Sequence, residues 1–387
     1  MGVTEGERRK SKVEKFIRFQ ESSLKKTAGG NKMKITKIEL FPVHTPRETG
    51  SISPHIIVKM HTDDGITGIG EMSDLGHLSK MPDVEAMSQN LNAALSGVDV
   101  YDIPKIDEQV RKLGGIFGAG IDMAVLDIKG KVLDVPVYKL LGGPYRKNFK
   151  VCYPIFGCPD QKAAEENIER VGRIMEKHGF DLFRFYPGRH VEGAEIFLKG
   201  VRDTYGDKVK FKSLDMSGAY EPDEAIEVIN RFEQYGFMLV ESPCQDIEGK
   251  ARVRAAVNLP ISEHTGGFSH ALELARKGAV DIFNVAVVSA GVRHAQKVFA
   301  LAEALGIKML IGTTQELSIG TAAQAHLGAS VPNLDFPSDV AGGRLYIKDV
   351  VKERVQYENG YLLVPEGPGL GMEIDEEKLA EVSVLFG

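Results

Sequence analysis

The first part of the chain alternates hydrophobic and polar residues in a way that predicts a small antiparallel sheet. Residues 33–73 contain the alternating runs MKITKIELFPV and HIIVKMHT, and Asp63-Asp64-Gly65 supplies a hairpin turn before ITGIGE. Residues 83–142 change to helical spacing, and the long run GAGIDMAVLDIKGKVL carries small and apolar residues throughout. We therefore predict a sheet that is followed by helices, one of them buried.

From residue 150 onward, short apolar runs alternate with amphipathic stretches. The apolar runs end near residues 186, 215, 241, 264, 286 and 312, in steps of 22 to 29 residues. This rhythm is typical of βα units in a barrel. A doubly wound sheet would also alternate, but no glycine-rich phosphate fingerprint follows the first strand, so nucleotide binding is not indicated. We predict an α/β protein in which a (β/α)7β barrel is covered by an α+β capping domain.

These patterns divide the chain into four segments. They are a basic extension over 1–32, the N-terminal capping domain over 33–145, the barrel over 146–340, and a C-terminal segment over 341–387 that returns to the cap. The extension carries nine Lys and Arg against four Asp and Glu, and it lacks the apolar core of a signal peptide. We expect it to be poorly ordered or to reflect an upstream start codon, with a basic docking tail as the alternative.

Composition narrows the possible classes of protein. Of the 387 residues, 43% are hydrophobic and 26% are charged, which suits a globular chain with a large core. No apolar run is long enough for a membrane helix, and a net charge of −6 speaks against a general nucleic-acid binder. The three cysteines form no CxxC pair, so free thiols in a reducing cytoplasm are the simplest interpretation.

Carboxylates stand where three successive predicted barrel strands end. They are Asp215 in KSLDMS, Glu241 in LVESP, and Glu263, which His264 follows, in ISEHTG. Barrel enzymes carry their active sites at these carboxyl ends. A carboxylate beside an apolar run is costly to bury unless it is paired or bound to a metal. One such acid is usually an ordinary loop residue, but three at this spacing predict a hard-cation site that favours Mg²⁺.

A basic and a phenolic residue end the second barrel strand. Arg184 and Tyr186 lie two positions apart, so both side chains are expected to point into the barrel mouth. A cation beside a phenol favours the phenolate and should lower the pKa of Tyr186, which would make it a possible general base. The alternative is a structural arginine that satisfies a tyrosine hydroxyl.

With these residues in place, the chain resembles the enolase superfamily of mandelate racemase and muconate lactonizing enzyme. The resemblance covers nearly all of residues 33–380, through GITGIGE, LGGPYR, SLD, VESP, ISEH, DIFN and GTTQELSIGTAAQAHLG. Muconate-cycloisomerase-like members end the second strand in Lys-x-Lys and carry a lysine on the sixth. This chain has Arg184-x-Tyr186 and Ala286 there, which counts against a lysine-based racemase or cycloisomerase.

Within the superfamily, the chain is most similar to galactarate dehydratases of the second type, through EMSDLGHL, KVCYPIF, GFDLFRFY and GTTQELS. This resemblance implies that Tyr186 and Arg184 form the basic dyad. It also implies that His264 is the fifth-strand ligand of Mg²⁺, whereas a generic superfamily alignment selects Glu263. Adjacent strand residues face opposite ways, so only one of the two can be a ligand.

The resemblance implies further site residues. A second Mg²⁺ in the cap would map onto Asp74, His77 and Thr314, for which a solvated loop is the alternative. Arg47, in TPRETG, would hold a distal substrate carboxylate, unless it simply faces solvent. The tyrosine-rich cap segment of such dehydratases is missing, and Phe117 in its place cannot donate a proton, so the general acid is unidentified.

The expected function is therefore Mg²⁺-dependent elimination of water from a sugar acid, with a galactarate-like diacid favoured and a 2-keto-3-deoxy acid as product. The alternatives are an epimerase or racemase of the same superfamily and a sugar-acid-binding protein without catalysis. The resemblance also implies a homo-oligomer. The expected partner is a small-molecule carboxylate rather than nucleic acid or membrane.

Overall fold

The computed structural model of the chain describes residues 32–73, 75–77, 82–114, 118–287 and 291–383. Its N-terminal part is the predicted antiparallel sheet, in the order β1 (Ile35–Pro46), β2 (Ile52–Thr62) and β3 (Thr67–Met72). Three helices cover this sheet: α1 (Val84–Leu95), α2 (Ile103–Leu113) and α3 (Gly118–Leu133). The N-terminal sheet and the helices after it are thus confirmed.

Helix α3 is the buried helix of the cap, and the glycines of β3 explain how closely it packs. A Cβ atom on Gly68 would lie 2.2 Å from the backbone oxygen of Ala124, and one on Gly70 would lie 2.0 Å from that of Gly120. Real Cβ atoms do not approach backbone this closely, so GITGIGE needs both glycines. Their absent side chains let the strand and the helix backbone touch.

The second part of the chain is a curled parallel sheet of seven strands in sequential order. The strands are β5 (Tyr153–Phe156), β6 (Leu182–Tyr186), β7 (Lys210–Asp215), β8 (Leu239–Glu241), β9 (Ile261–His264), β10 (Ile282–Val285) and β11 (Lys308–Ile311). Most of them end within a residue of the position that the sequence predicts. Helices that follow these strands are α5 (Gln161–His178), α6 (Val191–Tyr205), α7 (Pro222–Phe232), α8 (Ile247–Ala256), α9 (Phe268–Arg276), α10 (Val292–Leu305) and α11 (Ser318–Ser330).

An eighth extended segment closes the barrel between β11 and β5. Ser338 forms a parallel bridge with Val151, and the amide of Cys152 donates to the Ser338 carbonyl. On the other side, the amide of Asp339 donates to the carbonyl of Ile311. The strands β5 to β11 are each followed by a helix, and this segment adds the eighth extended stretch, so the architecture is the predicted (β/α)7β barrel.

The C-terminal segment packs back along the cap and the base of the barrel. Its strands β12 (Tyr357–Glu358) and β13 (Tyr361–Leu363) form a small sheet with β4 (Asn148–Lys150), which precedes the barrel. Its helix α12 (Glu376–Val382) follows, and Ser383 bridges to Val43 of β1. One short helix, α4 (Val137–Leu140), links the cap to the barrel. The contact with β1 agrees with a segment that returns to the cap.

A buried carboxylate ties the cap to the barrel. Glu71, at the end of β3, accepts hydrogen bonds from the amides of Leu317 and Gly320 at the start of α11, both at 2.8 Å. Its Oε1 also lies 3.0 Å from Nδ1 of His55. An anion at a helix N-terminus satisfies free N–H groups and complements the helix dipole. Glu71 therefore fixes the last cap strand against the loop that follows β11.

Two broader properties follow from the described residues. No helix among them is long and apolar enough to cross a membrane. The cysteines Cys152, Cys158 and Cys244 are all free and buried, and burial raises the pKa of each thiol. They are therefore poor nucleophiles in this fold.

Replacing Glu71 with Gln should lower the free energy of unfolding by about 1–3 kcal/mol, because one buried N–H loses its charged acceptor. Chemical denaturation of the variant and the parent checks this. The exposed Glu85 provides the control, since Glu85→Gln should change stability by less than about 0.5 kcal/mol. Equal losses in the two variants would contradict the anchoring role of Glu71.

Candidate active site

The carboxyl ends of four neighbouring barrel strands bring the predicted site residues together. Arg184 and Tyr186 end β6, Asp215 ends β7, Glu241 ends β8 and His264 ends β9. Asp215 and Glu241 are register partners, so their side chains point the same way across the parallel pair. The spacing seen in the sequence thus becomes one continuous rim at the mouth of the barrel.

A cavity of about 330 Å³ opens on this rim, and its lining is largely polar. The residues around it are Tyr186, Asp215, Ser217, Gly218, Glu241, Ser242, Cys244, Gln245, Lys250, Glu263 and His264. Four of the five residues expected at the barrel centre line it directly, while Arg184 lies beneath it and is only 2% exposed. A volume of this size suits a small molecule.

Buried charges beneath the cavity influence each other strongly. Burial opposes ionisation of Glu241, but Arg184, His264 and Lys212 outweigh it and hold the pKa of Glu241 below its ordinary value. Burial and the nearby Glu241 raise the pKa of Asp215. The two carboxylates therefore compete for the same cations, and a further positive charge between them would be stabilising.

Three buried polar residues of this centre were missed by the sequence analysis. Lys212 of β7 contacts Asp339 of the closing segment at 2.5 Å, and Asn284 of β10 donates to Oε1 of Glu241 at 2.9 Å. Sequence periodicity does not reveal Lys212 because it lies in a β-bulge, where the register of β6 and β7 slips between Phe183 and Arg184. Strict alternation would place Lys212 outside the barrel. A signal for Asn284 existed in the run DIFN, where an amide interrupts an apolar strand.

The two fifth-strand candidates occupy different surroundings. Nε2 of His264 lies 3.0 Å from Oε1 of Glu241, whereas Glu263 pairs with Lys250 of α8 at 3.1 Å and accepts from Ser242 at 3.0 Å. His264 is the register partner of the inward-facing Asn284. The structure thus brings His264, rather than Glu263, to the Asp215 and Glu241 carboxylates.

The pKa expected for Tyr186 is wrong in direction. Arg184 does lie over the tyrosine ring, with its guanidinium carbon 4.9 Å from the ring centroid. Burial nevertheless raises the pKa of Tyr186 well above its ordinary value, and Asp215, Glu241 and Asp339 add to the increase. One cation cannot offset burial and three carboxylates, so a phenolate here needs additional positive charge nearby.

The donor set suits a hard cation, although the ligands are not yet aligned. Asp215 and Glu241 supply carboxylate oxygens, and Oε2 of Glu241 is buried without a hydrogen-bond partner. Within the described ranges, no group of three or more His, Cys, Asp or Glu side chains is arranged to hold a metal. Nε2 of His264 lies 3.0 Å from Oε1 of Glu241, a separation that two neighbouring ligands of one octahedral cation can have.

The other predicted residues are Thr314 and Arg47, which the structure describes, and Asp74, His77 and Phe117. Asp74 and the side chain of His77 are outside the described residues, while the hydroxyl of Thr314 lies 2.7 Å from that of Ser73. Arg47 packs against Tyr346, with its guanidinium carbon 5.6 Å from the ring centroid, and it does not line the cavity. The role of Arg47 in binding a substrate carboxylate stays a prediction. Phe117 also lies outside the described residues.

Comparison with known families identifies the family of the chain. The model of the mandelate racemase / muconate lactonizing enzyme N-terminal domain matches residues 32–142, and the enolase C-terminal domain-like model matches residues 166–378. The chain therefore belongs to the enolase superfamily, in the branch of mandelate racemase and muconate lactonizing enzyme. The resemblance inferred from the sequence motifs is confirmed at this level.

Individual relatives are isomerases. A muconate cycloisomerase of Acinetobacter lwoffii is 30% identical over 84% of this chain and 87% of its own length. A hydrophobic dipeptide epimerase of Enterococcus faecalis is 30% identical over 72% and 80%. The crystal structure of N-succinyl Arg/Lys racemase from Bacillus cereus superposes with a TM-score of 0.83 at 26% identity, over 91% of this chain and 99% of that one. None of these three is a dehydratase, so the narrower likeness to galactarate dehydratase is not shown.

Calorimetric titration with Mn²⁺, as a probe for Mg²⁺, should separate the fifth-strand candidates. We expect His264→Ala to weaken binding by about tenfold or more, since loss of one ligand costs at least about 1.4 kcal/mol. Glu263→Gln should change affinity far less, because that carboxylate is held by Lys250. The reverse order of effects would make Glu263 the ligand.

Proposed function

We propose that this chain catalyses proton transfer at the carbon next to the carboxylate of a small-molecule substrate, with Tyr186 as the base. The observation that carries the proposal is the position of Tyr186 on the wall of the cavity, beside Asp215 and Glu241. A general base must reach its proton directly or through one water. Phe156 stacks on the Tyr186 ring at 4.7 Å and Arg184 lies over it at 4.9 Å, so the ring is held in place.

Membership of the enolase superfamily implies Mg²⁺ in the barrel, and we propose Asp215, Glu241 and His264 as its ligands. A bound Mg²⁺ would polarise a substrate carboxylate and supply the positive charge that Tyr186 lacks. The protein's own contribution is the fixed pair of Arg184 and Tyr186 and a narrow polar cavity. Arg184, 2% exposed, stays charged there because the surrounding carboxylates outweigh its burial and raise its pKa.

The first candidate for the overall reaction is epimerisation or racemisation of a carboxylate. It is supported by the relatives, which include a dipeptide epimerase and an N-succinyl Arg/Lys racemase. A proton must then be removed on one face of the substrate and returned on the other. Asn284 of β10 and Ala286 just after it cannot exchange protons at neutral pH. Since His264 is taken as a metal ligand, the second group would be Lys250 of the cavity wall.

The second candidate is β-elimination of water from a sugar acid, which gives a 2-keto-3-deoxy acid. Two observations favour it. The alanine at position 286 leaves the sixth strand without a base, and elimination needs no base on that face. The cavity also presents Ser217, Ser242 and Gln245, whose hydroxyl and amide groups suit a hydroxylated substrate better than an apolar one. For this reaction, a linear diacid such as galactarate is the substrate that we propose.

Replacing Tyr186 with Phe should abolish exchange of the substrate α-proton in deuterated water, because the phenolic oxygen is the proton acceptor. Proton NMR of a substrate mixture follows the exchange. Tyr235 is a matched control, since Arg202 lies 5.0 Å from its ring and Phe232 packs beside it, far from the cavity. Tyr235→Phe should exchange at the parental rate, and exchange that persists in Tyr186→Phe would sink the assignment of the base.

A panel of sugar acids, N-acylated amino acids and dipeptides, incubated with Mg²⁺, should decide between the two reactions. Epimerisation changes optical rotation without forming a carbonyl, whereas dehydration forms keto acids that semicarbazide detects. We expect turnover of at least one member of the panel by one of these routes. Ligand-induced thermal stabilisation without exchange or product would instead indicate a binding protein and contradict the proposed catalysis.

A further inference from the structure

Asp339 is the most completely hydrogen-bonded carboxylate beneath the cavity. Its Oδ1 accepts from Nζ of Lys212 at 2.5 Å and from the thiol of Cys152 at 3.1 Å. Its Oδ2 faces Arg184 at 3.3 Å and Asn284 at 3.4 Å. Asp339 is only 2% exposed and does not line the cavity, so it has no direct route to a substrate. Its four contacts instead organise the residues above it.

Arg184 is shared among three carboxylates at unequal distances. Its Nη1 lies 3.3 Å from Asp339, 3.5 Å from Glu241 and 3.8 Å from Asp215. The nearest anion is thus the one below the cavity, and the two candidate metal ligands are slightly farther away. If Asp339 lost its charge, Glu241 and Asp215 would become the nearest anions to a buried guanidinium that must stay paired.

Lys212 completes this arrangement. It is fully buried, lies 3.9 Å from Oε2 of Glu241, and reaches the interior only because of the bulge in β7. Burial opposes its charge, but Asp339 outweighs burial and raises the pKa of Lys212. Without this ammonium group, the barrel interior would hold three carboxylates against one permanent cation. Lys212 therefore gives Asp339 a cationic partner at a depth where an unpaired charge is costly.

We propose that Asp339 and Lys212 are positioning residues of the active site. Asp339, neutralised by Lys212, holds Arg184 beside Tyr186. Arg184 is thereby kept back from Asp215 and Glu241, whose oxygens stay open to a divalent cation. The inference rests on the proposed metal site but not on which reaction the enzyme performs. The buried pair of Asp339 and Lys212 would thus affect metal binding, which a purely structural ion pair would not do.

The test compares single and paired substitutions by calorimetric titration with Mn²⁺ and by thermal unfolding. Asp339→Asn alone should lower Tm, because Lys212 loses its partner, and should weaken Mn²⁺ binding by about tenfold or more, which is about 1.4 kcal/mol. In the double variant Lys212→Met/Asp339→Leu, an apolar pair replaces the ion pair, and such replacements usually restore stability. Mn²⁺ affinity should nevertheless stay low, because Arg184 then pairs with Glu241 and Asp215.

A third substitution makes the competition visible. Adding Arg184→Met to the double variant should recover Mn²⁺ affinity. The increase in affinity should be larger than the one that Arg184→Met causes in the parent, because the guanidinium blocks the ligands only after Asp339 is lost. Asp127→Asn is the matched control. Asp127 is equally buried and pairs with Lys131 at 2.6 Å in the cap, so its loss should reduce Tm and leave Mn²⁺ affinity unchanged.

Three results would overturn the inference. They are parental Mn²⁺ affinity in a stable double variant, equal effects of Arg184→Met in both backgrounds, and failure of the parent chain to bind Mn²⁺ at all. None of these depends on turnover. An error in the proposed reaction would appear separately, as absent proton exchange in a parent chain that still binds Mn²⁺ normally.

Discussion

The architecture of the active site depends on keeping several like charges together in a place that is largely shielded from water. Asp215, Glu241 and Asp339 are all at most 5% exposed, and isolated carboxylates do not persist at such depth. Arg184 and Lys212 offset most of this charge, and the barrel provides the geometry because its strand ends converge. A divalent cation between Asp215 and Glu241 would complete the balance, which is the physical reason that this fold and metal chemistry go together.

The cap contributes none of these charges, but hydrogen bonds fix it to the barrel. Glu71 holds the end of β3 against the start of α11, and the adjacent Ser73 reaches Thr314 after β11. The glycines of GITGIGE allow this strand to lie directly on α3. The end of the cap sheet is thus anchored to the loop that follows β11 and to the start of α11.

Much of this could be predicted from the sequence, because hydrophobic periodicity encodes strands and helices locally. The ends of β6 to β9 and the residues there were recognisable from apolar runs that stop at a polar group. Lys212 was not, because a bulge changes which face a residue occupies and leaves no mark on periodicity. Asp339 sits in an irregular stretch with no strand pattern of its own. The pKa of Tyr186 was misjudged because its three neighbouring carboxylates come from β7, β8 and the closing segment, which only the folded chain brings together.

The four contacts of Asp339 also restrict how this sequence can change over time. Any replacement of Arg184 alters the partner of one carboxylate oxygen, and any replacement of Lys212 alters that of the other. Positions 184, 212 and 339 are therefore expected to vary as a set among homologues rather than one by one. A lineage that adopted lysine chemistry on the second strand would have to pass through coordinated changes at all three.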